Sequence, residues 1–413
     1  MKSFAFKIPV SIYLLSLLCL VAGITSCLRD DEEPTGSSEY GTSKFTEDEL
    51  RAFEGILNLE ERLFNYANIT IPDFFKDSDG SLDYQDNTPE NNPITDAGAT
   101  LGRVLFYDKL LSKNHTISCA SCHQQDKGFS DPEQFSIGFN GEKTERHSMT
   151  LINSRWYESG AFFWDERASS LEEQVLMPIK DHVEMGMELA ELVARLDSHA
   201  YYQVLFTKAF GKNKVTANKI ARALSQFTRS IVSLDSKFIK AIEDANIDEV
   251  SPNEMRKLPM LSKQENEGLD VFYNYATCGY CHMGPALVSD GLKNNGLDLN
   301  YADKGKAQWT KNARDNAFFK APSLANIELS APYMHDGRFQ TLEEVVDHYN
   351  NGIKSHPNLN FRLTEEDRDG VLGGTPLKLE LTQKQKDALI AFLKTCTDNK
   401  LSHAEKYSDP FAK

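Results

Sequence analysis

The chain has 413 residues, of which 40% are hydrophobic and 26% are charged, as in an ordinary soluble globular protein with room for two domains. Its formal net charge is -16, from 61 acidic and 45 basic residues. This charge would repel phosphate groups, so it excludes nucleic acid as the expected partner.

The N-terminus has the pattern of an export signal. Lys2 and Lys7 precede an apolar run over residues 8–24 that is too short and wrongly flanked for a stable membrane span. The run ends in Ile-Thr-Ser before Cys27, which is typical of a bacterial lipobox. We therefore predict an exported protein of the periplasm or cell envelope, with residues 1–27 as signal peptide and Cys27 as a lipid anchor to the membrane. A cleaved signal peptide with an incidental cysteine is the alternative.

The next residues predict a tether, a helix and a linker. Residues 28–45 are acidic and poor in apolar side chains, so we expect them to be disordered. Within residues 46–92 we expect an N-terminal helix over about 46–67, then a linker rich in Asp, Asn, Ser and Pro over about 73–92. A second break, with Pro252 and Pro259, lies at about 246–262.

Helical signals dominate the rest of the chain, and strict apolar–polar alternation is scarce. Three helix starts carry capping boxes, Thr46 with Glu49, Ser262 with Glu265, and Thr382 with Gln385. Apolar residues recur at helical spacing at Ile220, Leu224, Phe227 and Ile231, and again at Leu389, Phe392 and Leu393. The sequence predicts a mostly α fold with long connecting loops and two units, over residues 93–245 and 246–400.

The seven cysteines do not form a disulfide framework. Cys19 lies in the signal region, Cys27 is the predicted anchor, and Cys396 is left as a lone, half-buried thiol near the last helix. The other four form two CxxCH motifs, Cys119-Ala-Ser-Cys122-His123 and Cys278-Gly-Tyr-Cys281-His282.

Each CxxCH motif fits the attachment pattern of a c-type haem. The two thiols add to the vinyl groups on one edge of the porphyrin, and the adjoining histidine reaches the iron as proximal ligand. Two such motifs in an exported chain predict two covalently bound haem c groups, in two cytochrome c-like domains. A zinc site or a redox-active thiol pair is the alternative.

From about residue 92 to residue 395, the chain resembles the di-haem cytochrome c peroxidase and MauG family. The resemblance rests on segments found in family order, Leu101-Gly-Arg-Val-Leu-Phe-Tyr-Asp108, Ser118-Cys-Ala-Ser-Cys-His123, Phe162-Phe-Trp-Asp-Glu-Arg167, Leu171-Glu-Glu-Gln174, Pro178, Val183-Glu-Met185, Ala321-Pro-Ser-Leu324 and Ala331-Pro-Tyr-Met-His-Asp-Gly337. It implies that the N-terminal haem is the peroxide site and that the C-terminal haem stores or relays electrons.

For the peroxide site, the resemblance implies His123 as proximal ligand and Glu184 as the distal acid/base. Burial beside haem should raise the pKa of Glu184, as a proton shuttle requires, and Gln174 is placed to orient peroxide. Where the bacterial peroxidases carry a distal histidine ligand, this chain has Phe139, which implies an open site as in the MauG branch. His147 is a rival ligand.

For the second haem, the resemblance implies His282 as proximal ligand and Tyr349 at the sixth position, where ordinary family peroxidases have Met. Independently, a helix that begins at Leu342 places Tyr349 on its apolar face and directs His348 elsewhere. A core tyrosine, with Met334 or Met283 on the iron instead, is the alternative.

Between the haems, the resemblance places Trp164 as an electron mediator, although a buried tryptophan also serves as core packing. We expect Asp165 and Arg167 to hold this corner by an ion pair. A calcium ion is common in the family, but His147 replaces its asparagine ligand, which weakens a site otherwise built from the carbonyls of Ser330 and Pro332.

Three functions follow as hypotheses. The first is a di-haem peroxidase that reduces hydrogen peroxide to water, with electrons from a small redox protein, a cytochrome c or a cupredoxin-like protein, relayed from the C-terminal to the N-terminal haem. The second is a MauG-like oxidase that uses peroxide to oxidise a partner protein, and the third is a pure electron-transfer cytochrome. Family members are often dimers, so a homodimer is also open.

Overall fold

The computed structural model describes residues 39–75, 86–212, 214–247, 250, 255–289 and 291–412. The predicted signal peptide, the lipid-anchor residue Cys27 and most of the predicted tether lie outside the described residues. Within these ranges, no helix is both long and apolar enough to cross a bilayer. The described residues group as one compact unit.

The described residues are mostly helical, as the sequence predicts. The α-helices are α1 Glu47–Arg51, α2 Asp96–Tyr107, α3 Cys119–Cys122, α4 Leu171–Gln174, α5 Met177–Lys180, α6 Leu189–Asp197, α7 Ala200–Phe210, α8 Ala217–Ser230, α9 Lys237–Asp244, α10 Lys263–Asp270, α11 Ala307–Thr310, α12 Leu342–Asp347 and α13 Gln383–Lys394. Two π-helices follow α10 and α12, at Val271–Tyr275 and His348–Gly352.

Single 3-10 turns occur at Asp73–Phe75, Lys109–Leu111, Gln125–Lys127, Ser154–Trp156, Cys278–Tyr280, Ala313–Asp315, Ile327–Leu329, Phe361–Leu363 and Glu405–Tyr407. The strands form two small antiparallel pairs, β1 Tyr40–Lys44 with β2 Arg62–Phe64, and β3 Leu292–Lys293 with β4 Phe319–Lys320.

The helix starts follow their local sequence signals. All three predicted capping boxes are present, at the N-termini of α1, α10 and α13. Each satisfies two backbone N–H groups that the first helical turn leaves without partners. The apolar repeats in α8 and α13 are buried as predicted.

Two helix pairs, each with a buried glycine where its helices approach, flank the two CxxCH motifs in the sequence, with one helix before each motif and one after it. A Cβ at Gly102 of α2 would lie 2.0 Å from the carbonyl oxygen of Ala223 in α8, and one at Gly268 of α10 would lie 1.9 Å from that of Ala388 in α13. Since no side chain fits at either crossing, the backbones approach closely. The sequence analysis found only the duplicated motif, whereas the structure shows a duplicated helix crossing.

The buried apolar residues form separate clusters around these pairs. The largest cluster is built mainly from residues 45–231, and the second from residues 238–396. The C-terminal tail returns to the first cluster, where the hydroxyl of Tyr407 donates to the carbonyl of Ser230 at 2.6 Å. The predicted second unit, over residues 246–400, therefore leaves out a C-terminal tail that packs on the first cluster.

The N-terminal segment differs from the prediction. The helix predicted over about 46–67 ends at Arg51, and its last part is β2, which pairs with β1 from the predicted disordered tether. The ring of Tyr40 stacks on Phe64 at 5.1 Å, and the next apolar residue, Phe45, is buried. The prediction of disorder from composition was wrong here, because the aromatic side chains of this acidic segment pack against buried residues.

Candidate functional site

A cavity of about 540 Å³ lies beside the first CxxCH motif, within the usual size range of cofactor and ligand sites. Its wall contains most of the residues assigned to the peroxide site, namely Cys119, Cys122, His123, Trp164, Gln174 and Glu184. The structure thus brings together side chains that are separated by up to 65 positions in the sequence.

The two thiols of the first motif face this cavity from the single turn of α3. Both cysteines are half-buried and free of disulfide bonds. Burial raises the pKa of Cys119 to about 12 and that of Cys122 to about 11. A redox-active pair needs a lowered thiol pKa, so this environment disfavours the redox-thiol alternative.

His123 ends α3 and is oriented by the backbone that follows it. Its Nδ1 lies 3.1 Å from the carbonyl oxygen of Phe129, and in this tautomer Nδ1–H donates and leaves Nε2 with a free lone pair. Metal-binding histidines are commonly fixed in this way. The two thiols could hold a macrocycle and His123 could bind its iron, so the residues present fit the predicted haem.

Glu184 lies in a turn at Asp181–Met185 and lines the cavity. Burial raises the pKa of Glu184 to about 7, the negative charge of Asp181 adds to this shift, and Arg167 opposes it. The backbone N–H of Glu184 donates to the Asp181 carboxylate at 3.1 Å, which fixes the turn. A carboxyl group with this pKa is suited to both accepting and donating a proton near neutrality.

Phe139 does not line the cavity. A Cβ at Gly186 would lie 2.4 Å from the ring of Phe139, so the ring packs on the backbone of the Glu184 turn. Gly138 is equally close to this turn, since its Cβ would lie 1.7 Å from the carbonyl oxygen of Val183. The loop that supplies a distal histidine in the bacterial peroxidases instead supports the turn that carries Glu184.

His147, the rival ligand, is buried and already engaged. Its Nε2 lies 3.1 Å from the hydroxyl of Ser130, and its Nδ1 lies 3.2 Å from the carbonyl oxygen of Glu133. Because a carbonyl oxygen only accepts, the neutral ring donates from Nδ1 to Glu133, and Nε2 is left as an acceptor that faces the Ser130 hydroxyl. With both nitrogens used, His147 has no lone pair directed at the cavity.

Trp164 is 8% exposed and connects the cavity to the second region of the protein. Its indole N–H donates to the carbonyl of His147 at 2.8 Å. The same ring belongs to an apolar cluster against which Met334 packs, so it is both a core residue and part of the cavity wall.

Asp165 forms ion pairs with two arginines, one more than predicted. Arg167 pairs with Asp165 at 3.0 Å, which confirms the predicted ion pair. Arg146 also pairs with Asp165, at 2.7 Å, and with Asp303, at 2.7 Å. These three ion pairs connect the cavity wall to the segment after residue 300.

The second CxxCH motif also has two cysteines that form no disulfide bond. Cys278 and Cys281 are half-buried, and burial lowers the pKa of His282 to about 4, so the ring is neutral. Hydrogen bonding of the ring to the backbone of Pro322 and Leu287 opposes this shift. A neutral buried imidazole next to two cysteine side chains fits a second haem in the same manner as the first.

Tyr349 and Met334, the two candidate sixth ligands of the second haem, both lie close to the side chain of Asn295. The amide nitrogen of Asn295 lies 3.4 Å from the hydroxyl of Tyr349 and 3.4 Å from the sulfur of Met334. Burial raises the pKa of Tyr349 to about 12; the Asn295 hydrogen bond lowers it, and the neighbouring thiols Cys281 and Cys278 raise it. Tyr349 therefore lies near the second motif.

His348 is also buried, contrary to the expected α-helical geometry. Its Nε2 lies 3.0 Å from the carbonyl oxygen of Asn295, and its ring packs on Tyr349 at 5.0 Å. The cause is the change from α12 to a π-helix at residue 348, because the wider turn alters the angle between successive side chains.

Two residues at the site were missed by the sequence analysis. Asn295 is one, and no motif marks it. The other is Lys320, a buried lysine in the cavity wall whose ammonium donates to the carbonyl of Ala161 and lies 4.0 Å from the ring centre of Tyr157. Burial lowers the pKa of Lys320 to about 8, and Glu166 opposes this shift.

Comparison with known proteins identifies the family of this chain. The family model for di-haem cytochrome c peroxidase matches residues 96–246. The methylamine utilization protein MauG of Methylophilus methylotrophus is 32% identical over 309 residues, 74% of this chain and 84% of that protein. The chain belongs to the di-haem cytochrome c peroxidase and MauG family.

Members of both branches are similar to this chain. The cytochrome c551 peroxidase of Nitrosomonas europaea is 34% identical over 317 residues, 75% of this chain and 81% of that protein. The structure of a MauG-like protein associated with microbial copper homeostasis has a TM-score of 0.65 and 34% identity, covering 78% of this chain and 95% of that chain. The chain is therefore an oxidoreductase of the family that acts on peroxide.

The fold is shared more widely. A di-haem peroxidase from Burkholderia thailandensis has a TM-score of 0.61 at 21% identity, covering 77% of this chain and 91% of that chain. At this identity the likeness concerns the fold alone, which for both chains is a mostly helical di-haem peroxidase fold.

Proposed function

We propose that this member reduces hydrogen peroxide to water at the cavity beside His123, with electrons supplied from the region of the second CxxCH motif. The observation that carries the proposal is Glu184, a cavity-facing carboxyl whose pKa is raised to about 7 by burial. Two haem c groups, held by Cys119, Cys122 and His123 and by Cys278, Cys281 and His282 in units over residues 93–245 and 246–400, would supply the iron that binds peroxide and stores electrons.

Glu184 moves the proton that the reaction requires. Reduction of one hydrogen peroxide consumes two electrons and two protons, breaks one O–O bond and gives two water molecules. In its carboxylate form, Glu184 takes the proton from one peroxide oxygen, and in its acid form it returns that proton to the departing oxygen. With a pKa of about 7, both forms are populated at neutral pH.

The other cavity residues orient the substrate and shape the site. Gln174, at the end of α4, presents an amide that can donate to one peroxide oxygen and accept from the other. Phe139 packs on the Glu184 turn and cannot bind iron, which supports an open site that needs no reductive activation. Trp164, in the wall between this cavity and Met334, offers an aromatic route for electrons.

At the second motif we propose Tyr349 as the sixth ligand. Its buried hydroxyl lies within reach of the Asn295 amide, and both motif thiols act on its pKa. Met334 remains the alternative, because its sulfur is equally close to Asn295. A calcium ion is not part of the proposal, since the ring nitrogens of His147 are engaged by Ser130 and Glu133.

A MauG-like oxidase of a partner protein is the second candidate. Two observations favour it, Phe139 in place of a distal histidine and Tyr349 near the second motif. A pure electron-transfer cytochrome is disfavoured by the cavity and its proton-carrying carboxyl. We also propose export and a lipid anchor at Cys27, with a small cytochrome c or cupredoxin-like protein as electron donor.

The test uses the full chain made in cells that mature c-type cytochromes. Its mass should include two covalent haems, and its oxidised electron paramagnetic resonance spectrum should show one high-spin and one low-spin signal. Steady peroxide turnover with a reduced redox protein supports the peroxidase. Oxidation of a partner protein without such turnover supports the MauG-like oxidase, and two low-spin signals with no reaction would refute both.

A further inference from the structure

The opening of the cavity to solvent has no role in the proposed function. Among the described residues, six are exposed and also line the cavity, and they mark this opening, which we call the cavity mouth: Lys143, Glu145, Arg167, His182, Gln308 and Trp309. Five of the six are polar or charged. Trp309 is the one large apolar side chain of this set, and it is 47% exposed.

Trp309 is bound to the cavity wall. It lies on α11, and its indole N–H donates to the backbone carbonyl of Asp165 at 3.0 Å. Asp165 directly follows Trp164, and both residues line the same cavity. The indole therefore cannot turn out into solvent without losing this hydrogen bond, so one part of the ring meets water while another part meets the site.

Ion pairs and a second hydrogen bond hold the mouth around Trp309 in place. The carboxylate of Asp165 pairs with Arg146 at 2.7 Å and with Arg167 at 3.0 Å. Arg146 also donates to the side-chain amide oxygen of Gln308, the residue before Trp309, at 3.3 Å. The indole is thus fixed through its own N–H and through its neighbour in the chain.

A fixed bulky ring at an opening selects molecules by size, because it cannot move aside without breaking its contacts. Hydrogen peroxide is little larger than water, whereas an alkyl or aryl hydroperoxide carries the same O–O bond on a bulky apolar group. Charge does not separate these neutral substrates, and the mouth carries both signs, Lys143 and Arg167 against Glu145. The indole is the feature of the mouth that distinguishes them.

We propose that Trp309 narrows the cavity mouth and thereby restricts the site to hydrogen peroxide and other small ligands. This rests on the proposed peroxidase function and adds the residue that limits substrate size. The chemistry is the same for any hydroperoxide ROOH, which takes up two electrons and two protons, loses its O–O bond and gives ROH and water. The electrons still arrive from the region of the second CxxCH motif, so Trp309 controls access only.

Two imidazoles of different size test access without turnover. Imidazole and 4-phenylimidazole bind an open ferric haem through the same kind of ring nitrogen and differ in one phenyl group. Absorbance titration of the haem-loaded full chain gives a Kd for each. In the wild type, the Kd for 4-phenylimidazole should be at least tenfold above that for imidazole, and Trp309→Ala should lower this ratio at least tenfold.

Tyr275→Ala is the matched control. Tyr275 is 54% exposed and its hydroxyl donates to the backbone carbonyl of Leu379 at 3.2 Å, but it is not among the residues that line the cavity. Its replacement should leave the ratio of the two Kd values unchanged. Trp309→Leu should act like Trp309→Ala, and it keeps an apolar side chain on α11 if the alanine variant does not fold. Equal Kd values in the wild type, or a ratio unchanged in both Trp309 variants, would overturn the inference.

Peroxide turnover gives a second measurement, with hydroxymethylferrocene as one-electron donor. Trp309→Ala should raise the ratio of kcat/KM for cumene hydroperoxide to that for hydrogen peroxide at least tenfold. If no variant turned over either peroxide, the proposed function would fail, and the imidazole titration would still decide the role of Trp309. If neither imidazole bound in any variant, the site would be closed and both proposals would be refuted.

Discussion

The backbone N–H of Phe139 donates a hydrogen bond of 2.9 Å to the backbone carbonyl of Glu184. This bond joins two loops that are far apart in the sequence, one of which carries the cavity-facing carboxyl. The same contact turns the ring of Phe139 onto Gly186 and away from the cavity. Residue 139, where the bacterial peroxidases carry a distal histidine ligand, therefore supports the turn that carries Glu184.

Replacement of Glu184 by glutamine should abolish the proton transfer while keeping the shape of the side chain. We expect Glu184→Gln to lower kcat/KM for peroxide about 10²- to 10⁴-fold, the range for loss of a general acid–base group. In the wild type, peroxide binding should strengthen as pH rises through about 7, because the carboxylate form accepts the proton. Stopped-flow mixing across pH measures both effects.

Glu145 offers a matched control, since its carboxyl also lines the cavity but is exposed. Glu145→Gln should leave the pH profile of the wild type intact. If Glu184→Gln retained that profile, Glu184 would not be the proton carrier.

A methyl group at Gly138 should displace the Glu184 turn. The added Cβ would lie 1.7 Å from the carbonyl oxygen of Val183, so Gly138→Ala should cost about 1–3 kcal/mol of unfolding free energy, as overpacking does. It should also shift the pH midpoint of peroxide binding, because the carboxyl moves. Gly141→Ala, in the same loop, strains the backbone because its φ is +86°, but nothing lies within 4 Å of the added Cβ. It should therefore lower stability without moving that midpoint, and equal midpoints in both variants would contradict the support role.

The choice between Tyr349 and Met334 can be made spectroscopically. If the phenol is the sixth ligand, Tyr349→Phe should alter the low-spin signal and raise the reduction potential of the second haem, because an anionic ligand that favours the ferric state is lost. Met334→Leu should then change neither. If only Met334→Leu altered the low-spin signal and the reduction potential, the sulfur of Met334 would be the ligand. Asn295→Leu is a further probe, since its amide contacts both groups.

Removal of Arg146 should destabilise the corner around Asp165. The ion pair of Arg146 with Asp165 is nearly buried, but Asp165 keeps its pair with Arg167 whereas Asp303 loses its cation. Arg146→Met should therefore cost about 1.5–3 kcal/mol, the range for loss of a hydrogen bond to a charged group. Chemical denaturation at neutral pH measures this loss. Lys44→Met, which removes an exposed ion pair with Glu61, should change the unfolding free energy far less.

The unfolding free energy lost in Arg146→Met should depend on pH in one direction. Burial tends to raise the pKa of Asp303, but the hydrogen bond and charge of Arg146 outweigh it and lower the pKa below its usual 3.8. A carboxylate with a lowered pKa in the folded state stabilises the fold above about pH 4, and this stabilisation is lost as pH falls further. The difference between wild type and Arg146→Met should therefore shrink in acid. A constant difference down to pH 2 would show that the ion pair is not the cause.

The sequence was sufficient where a structural signal is local. The capping boxes at Thr46, Ser262 and Thr382 depend on side chains three residues apart, and all formed as predicted. The CxxCH motifs are equally local. In contrast, the pairing of β1 with β2 depends on Tyr40 meeting Phe64 across a turn, and the helix predicted over about 46–67 missed it.

The site could be predicted only as far as the resemblance extended. It named Glu184, Gln174 and Trp164, which the structure places around one cavity. It could not name Asn295 or Lys320, because their roles come from burial and from partners more than 50 and 150 positions away. Physical properties such as the raised pKa of Glu184 follow from burial, which is a property of the fold.

The π-helix at His348–Gly352 carries a consequence for how such sites diverge. A π turn takes up one residue more than the α turn it interrupts, and one residue corresponds to about 100° of rotation around an α-helix. Gain or loss of a single codon ahead of Tyr349 would thus swing a different side chain toward the second motif without any substitution. Insertion and deletion at this turn would thus provide a route, separate from point mutation, for exchanging the side chain that faces the second motif.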